Sequence, residues 1–125
     1  MTPLLFCGIA LAGGLGAATR FLLDGIIRSR TGGRMPWGTI VINLAGSFLL
    51  GLITGFAGGH LLPESVQLVA GAGFLGGFTT FSTASFETIR LLQERRWVAG
   101  AINGLGVLVA ATALAGLGLW IGSLA

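Results

Sequence analysis

Four long apolar stretches decide most of what this chain can become. They cover about residues 4–27, 37–62, 66–92 and 97–124, with only short connections between them. An α-helix needs about 20 residues to cross the hydrocarbon core of a bilayer, and each stretch has that length with some left for tilt. In lipid, every backbone N–H and C=O must be satisfied within its own helix or in a closed barrel. None of the stretches alternates with a period of two, so helices are expected and a barrel is not. Only 9% of residues are charged and 54% are hydrophobic, against roughly a quarter charged in soluble domains. The expected architecture is one all-α integral membrane domain over residues 1–125, with four transmembrane helices.

The first stretch reads as a span rather than a secretory leader. No basic segment precedes it, no cleavage pattern ends a short core, and three similar stretches follow. Arg28, Arg30, Thr31, Gly32, Gly33, Arg34 and Pro36 make the first connection. Pro63 marks the second, with Glu64 and Ser65 as a helix start, and Glu94, Arg95 and Arg96 mark the third. Trp37 and Trp97 open their runs as interfacial tryptophans do, and Trp120 sits near the far end of the last.

All seven basic residues are arginine. Because they flank apolar runs, they speak for membrane topology rather than for nucleic acid. Connections one and three carry Arg28, Arg30, Arg34, Arg95 and Arg96, while connection two and both tails carry none. The positive-inside rule then places both termini outside. Cys7, a lone thiol in the first run, reads as packing filler. His60 reads as an interfacial histidine, since no second metal ligand accompanies it.

Glycine accounts for 23 residues without a collagen-like period. In membranes glycine lets two helix backbones approach closely. Asn43, Ser47, Gly51, Gly55 and Gly59 recur at every fourth position and share one face of the second run. The three glycines read as a packing face. Asn43 has two readings, a packing amide or a pathway residue whose NH2 offers donors to an anion.

The third run carries the most information. Gly76-Gly77 near its middle invites a break. Thr79, Thr80, Ser82, Thr83 and Ser85 then crowd hydroxyls that can satisfy a broken helix. A break frees carbonyls that can bind a cation and N–H groups that can bind an anion. A kinked packing helix is the plainer reading. Phe81 within this stretch either faces lipid or offers an anion the positive edge of its ring. Arg20, inside the first run, either snorkels toward the Arg28 end with help from Asp24 or attracts an anion. Asn103 is the polar residue to watch in the fourth run.

The segments Gly13-Gly-Leu-Gly-Ala-Ala-Thr-Arg20, Gly38-Thr-Ile-Val-Ile-Asn-Leu-Ala-Gly-Ser47-Phe and Gly73-Phe-Leu-Gly-Gly-Phe-Thr-Thr-Phe-Ser-Thr83 resemble the three signatures of the Fluc (CrcB) family of fluoride channels. The resemblance extends to the chain's length and helix count, and the third signature is the most specific. It implies an antiparallel two-subunit bundle in the cell (inner or plasma) membrane with pores along the subunit contacts. It implies passive efflux of fluoride, and a structural sodium ion held by backbone carbonyls of Gly76 and Thr79. It implies an anion pathway with Asn43 and Phe81 at its centre and Arg20 as the family arginine; Ser47, Thr80, Ser82, Thr83 and Asn103 are its other candidate members.

Three features depart from the family pattern. A second phenylalanine of the signature is Ala84 here, and a serine one turn after Asn103 is Val107. The arginine bias is also strong, where many family members carry little. Together they raise a heterodimer with a paired homologue beside the homodimer. Two other functions stay open: a small-multidrug-type exporter, which needs an embedded carboxylate where this chain has only Asp24, and a non-conducting partner subunit. An enzyme is not expected, because no constellation of histidine, cysteine and carboxylate exists.

Overall fold

The computed structural model describes residues 2–32 and 34–124, so Gly33 of the first connection lies outside the described residues. The described chain is helical, without strands. Helix α1 is Pro3–Thr31, α2 is Trp37–Gly58, α3 is residues 64–78, α4 is Phe81–Gln93 and α5 is Trp97–Ser123. By length and apolarity α1, α2 and α5 are unbroken candidate spans. The third apolar run is shared between α3 and α4.

Helix α1 starts where Thr2 accepts a hydrogen bond from the Leu5 N–H at 3.1 Å, with Pro3 in the first turn. It ends at Gly32, whose φ of 80° is the left-handed cap that glycine adopts without strain. Arg28 and Arg30, expected in the connection, belong to its last turn. Arginine is a good helix former, and its charge is favourable at a helix C-terminus. At about 1.5 Å per residue the helix is long enough for that turn to stand outside the hydrocarbon. Helix α2 stops earlier than expected, at Gly58 rather than near residue 62. Two glycines weaken its end, His60 takes a positive φ of 61°, and Pro63 bars helix just before it.

Glycine faces set the packing. A side chain on Gly51 would run into the Ala115 carbonyl, and one on Gly118 into the Phe48 carbonyl, so α2 and α5 lie backbone to backbone. Gly77 of α3 bears in the same way on the Gly13 carbonyl of α1. Gly59, expected to continue the packing face of α2, instead caps the helix. Where α1, α2 and α3 meet, Ile42, Leu75 and Phe78 form a small core flanked by Leu23, Ile53 and Phe74.

Most large apolar side chains point outward, among them Leu4, Phe6, Leu11, Phe21, Val109 and Trp120. Such an exterior suits lipid and not water. Cys7 is exposed on this face rather than packed inside, since an apolar thiol needs no protein cover in lipid.

Candidate ion pathway

The third apolar run is interrupted by two extended residues. Thr79 has φ −81° and ψ 157°, and Thr80 has φ −148° and ψ 124°. Gly76 and Gly77, the expected point of interruption, are helical. Gly77 is small because the α1 backbone lies against it, not because the chain bends there.

Two of the regular hydrogen bonds lost at the interruption are replaced by side-chain partners. In an unbroken helix the Thr80 N–H would donate to the Gly76 carbonyl. Here it donates to Asn43 Oδ1 at 2.8 Å, and Asn43 Nδ2 donates to the Thr80 carbonyl at 2.8 Å. The Thr83 N–H, whose regular acceptor is the Thr79 carbonyl, donates instead to Thr80 Oγ1 at 3.2 Å, which caps α4. Arg20 Nε donates to the Gly77 carbonyl at 3.3 Å. The carbonyls of Gly76 and Thr79 are thus released from their α-helical partners.

A groove of about 260 Å³ opens beside this interruption. Asn43, Ser47, Thr79, Thr80 and Phe81 line it, with Ser85, Thr88 and Asn103 adding polar atoms. Ala84 and Val107 line it too and make part of its wall apolar. Phe81 is 83% exposed.

Of the expected pathway residues, Arg20, Ser82 and Thr83 do not line the groove. Ser82 is exposed with its Oγ 3.4 Å from Thr80 Oγ1, and Thr83 is half-buried. Arg20 turns across to α3 rather than toward Asp24, which pairs with Arg28 at 3.3 Å. Interior arginines are held by carboxylates or by backbone carbonyls, and Arg20 takes the Gly77 carbonyl. Asn103 is 3% exposed and donates to Thr88 Oγ1 at 2.7 Å and to the Ala84 carbonyl at 3.2 Å, tying α5 to α4. It stands in a π-helical turn, Ile102–Gly106; a longer π-helical stretch, Gln67–Leu75, lies in α3. Such turns recur at functional sites.

Glu87 belongs to none of the sequence motifs above. It is 3% exposed and accepts from Thr39 Oγ1 at 2.5 Å, with Arg28 Nη2 3.8 Å away. Its second oxygen has no hydrogen-bond partner among the described residues. The available signal was a carboxylate in an apolar run, which is rare and costly. The described residues contain no group of three or more histidine, cysteine or carboxylate side chains that would hold a metal ion.

Comparison with known proteins gives a consistent family. Residues 7–119 match the family described as CrcB-like protein, Camphor Resistance (CrcB). A protein of Leifsonia xyli named fluoride-specific ion channel FluC 1 is 52% identical over 125 residues, covering 100% of this chain and 91% of that protein. One of Cutibacterium acnes named fluoride-specific ion channel FluC 2 is 50% identical over 124 residues, with 98% of each chain covered. One of Geobacter sulfurreducens named fluoride-specific ion channel FluC is 40% identical over 126 residues, covering 100% of this chain and 97% of that one.

Proposed function

This chain belongs to the CrcB family, and we propose that it is a fluoride channel subunit that lets fluoride leave the cytoplasm passively across the plasma (inner) membrane. The observation that carries the reading is the interrupted third span clamped by Asn43, next to an exposed Phe81 in a polar groove. Full-length relatives named as fluoride-specific channels support it, and family membership sets the small-multidrug exporter reading aside.

A small, strongly hydrated anion must exchange water for donors and still be released. Asn43 spends one N–H on Thr80 and has a second for the anion. The hydroxyls of Ser47, Thr80 and Ser85 offer further donors along the groove, while that of Thr88 donates to the Ala84 carbonyl. Ser82 and Thr83 extend that hydroxyl series beyond it, and Asn103 fixes the wall by holding α5 against α4. The edge of the Phe81 ring attracts an anion weakly enough to let it go. Arg20, next to the interruption, raises the local potential.

Phe81 is too exposed to enclose an ion in one chain. The proposal therefore includes a second subunit, antiparallel to the first, that closes the groove. The carbonyls of Gly76 and Thr79 are free of helical partners and are the neutral oxygens a sodium ion accepts, so these residues fit a structural sodium. When bound, that ion supplies fixed positive charge at the interruption. Ala84 and Val107 favour a second reading of the pair, in which the partner is a homologue that supplies the missing polar or aromatic groups. Liposomes holding only this purified chain, loaded with fluoride and made permeable to potassium, test both. Rapid release identifies a working homodimer. No release from a well-folded chain removes the homodimer, and no release on adding a paired homologue as well removes the channel reading.

A further inference from the structure

Six of the seven arginines gather at one end of the bundle. Arg28, Arg30 and Arg34 stand at the end of α1 and in the loop after it, and Arg90, Arg95 and Arg96 stand at the end of α4 and in the loop after it. In the chain these are two groups more than fifty residues apart. The fold joins them, because Arg96 Nη1 donates to the Arg34 backbone carbonyl and holds the two loops side by side.

Carboxylates do not neutralise this end. Among the described residues only Arg28 makes ion pairs, with Asp24 at 3.3 Å and Glu87 at 3.8 Å. Glu94 is exposed and pairs with none of them. Arg30, Arg34 and Arg95 are exposed, and Arg90 has a buried Nε without an acceptor among the described residues. Trp37 and Trp97, the first residues of α2 and α5, border the two loops and are 48% and 63% exposed. Exposed indoles at helix starts settle at headgroup depth, which sets the arginines level with lipid phosphates.

We propose that the joined loops form a binding site for the phosphate of an anionic phospholipid. The basic residues are all arginine, whose planar fork grips phosphate through two parallel hydrogen bonds. A zwitterionic lipid also carries phosphate, but its ammonium group is repelled by a cluster of guanidiniums. The tryptophans and the apolar helix faces below add a surface for acyl chains, which free phosphate lacks. The proposal does not depend on what the groove conducts.

Native mass spectrometry of the purified full chain, offered equal amounts of phosphatidylglycerol and phosphatidylcholine with the same acyl chains, tests it. Phosphatidylglycerol should be retained about tenfold more, the order expected from a few guanidiniums beside a charged headgroup. Arg34→Gln combined with Arg95→Gln should bring that preference below about twofold, while the two Arg→Lys changes keep part of it. Inorganic phosphate at matching concentration should leave retention unchanged. Equal retention of the two lipids, an undiminished preference in the glutamine variant, or displacement by inorganic phosphate would each overturn the proposal. The wild-type comparison and the phosphate competition decide it even where the double variant fails to fold.

Discussion

Asn43 on α2 and Thr80 in the interrupted third span hold each other at both ends of the amide, with Nδ2 donating to the carbonyl and Oδ1 accepting from the N–H, each at 2.8 Å. Without Asn43 the Thr80 N–H would have no partner in an apolar surround, while the Thr80 carbonyl, as N-cap, still accepts the first bond of α4. An unsatisfied buried group costs about 1–3 kcal/mol. One side chain therefore makes the interruption stable and stands in the groove.

Asn43→Ala removes both bonds, and Asn43→Asp keeps only the acceptor for the Thr80 N–H. The aspartate also sets a negative charge beside the pathway. Fluoride efflux from liposomes should fall at least about tenfold for either, and further for the aspartate because like charge repels the anion. The alanine variant should also unfold at a lower temperature in detergent. Unchanged flux in Asn43→Asp would take this residue out of the pathway.

Phe81 separates function from folding. At 83% exposure its ring contributes little to the packing of one chain, so Phe81→Ala should leave monomer unfolding nearly where it was. Efflux should drop severely, and Phe81→Leu should not restore it, because leucine lacks the positive ring edge. Normal flux in both variants would take Phe81 out of the pathway.

Two glycines of α5 make an internal control for the packing argument. Gly116 has nothing within 4 Å of the place a Cβ would occupy, whereas a Cβ on Gly118 would strike the Phe48 carbonyl and come within 2.8 Å of the Leu52 nitrogen. Gly118→Ala should push α2 and α5 apart and lower stability by about 1–3 kcal/mol, the usual range for overpacking. Gly116→Ala should be near neutral. Equal effects in thermal unfolding would mean that the close approach of these helices is not what glycine is for.

Thr39 is the hydrogen-bond donor to buried Glu87. Thr39→Val keeps the shape and removes the donor, so it should destabilise by about 1–3 kcal/mol. Thr39→Ser should restore most of that. A double-mutant cycle with Glu87→Gln should show coupling between the two positions, and additive effects would mean that Glu87 is held by something other than Thr39.

Hydropathy alone disclosed the spans, because lipid demands long apolar helices whatever their neighbours are. Gly51 and Gly55 were legible as a packing face from their spacing, but not the α5 backbone they meet. The sequence points to Gly76–Gly77 and the structure interrupts at Thr79–Thr80, because a glycine that yields to a neighbouring helix looks in sequence like a glycine that bends. Asn43 stood out as an amide in an apolar run, yet its partner is 37 residues away and is backbone, which carries no sequence signature. Thr39 and Glu87 lie 48 residues apart, and neither announces the other.

The carbonyls released at Gly76 and Thr79 offer neutral oxygens to a cation only in the folded chain. A cation that binds the folded chain and not the unfolded one raises stability by RT ln(1 + [L]/Kd), about 2.7 kcal/mol at a hundredfold excess over Kd. The unfolding midpoint in detergent should therefore rise with sodium at constant ionic strength, N-methylglucamine making up the difference. Thr79→Val loses the Thr79 Oγ1 bond to the Leu75 carbonyl at 3.1 Å but keeps its own carbonyl. That variant should start from a lower midpoint and respond to sodium as steeply as the parent. A midpoint indifferent to sodium in both proteins would show that the freed carbonyls hold no ion, and that the clamp from Asn43 supports the interruption by itself.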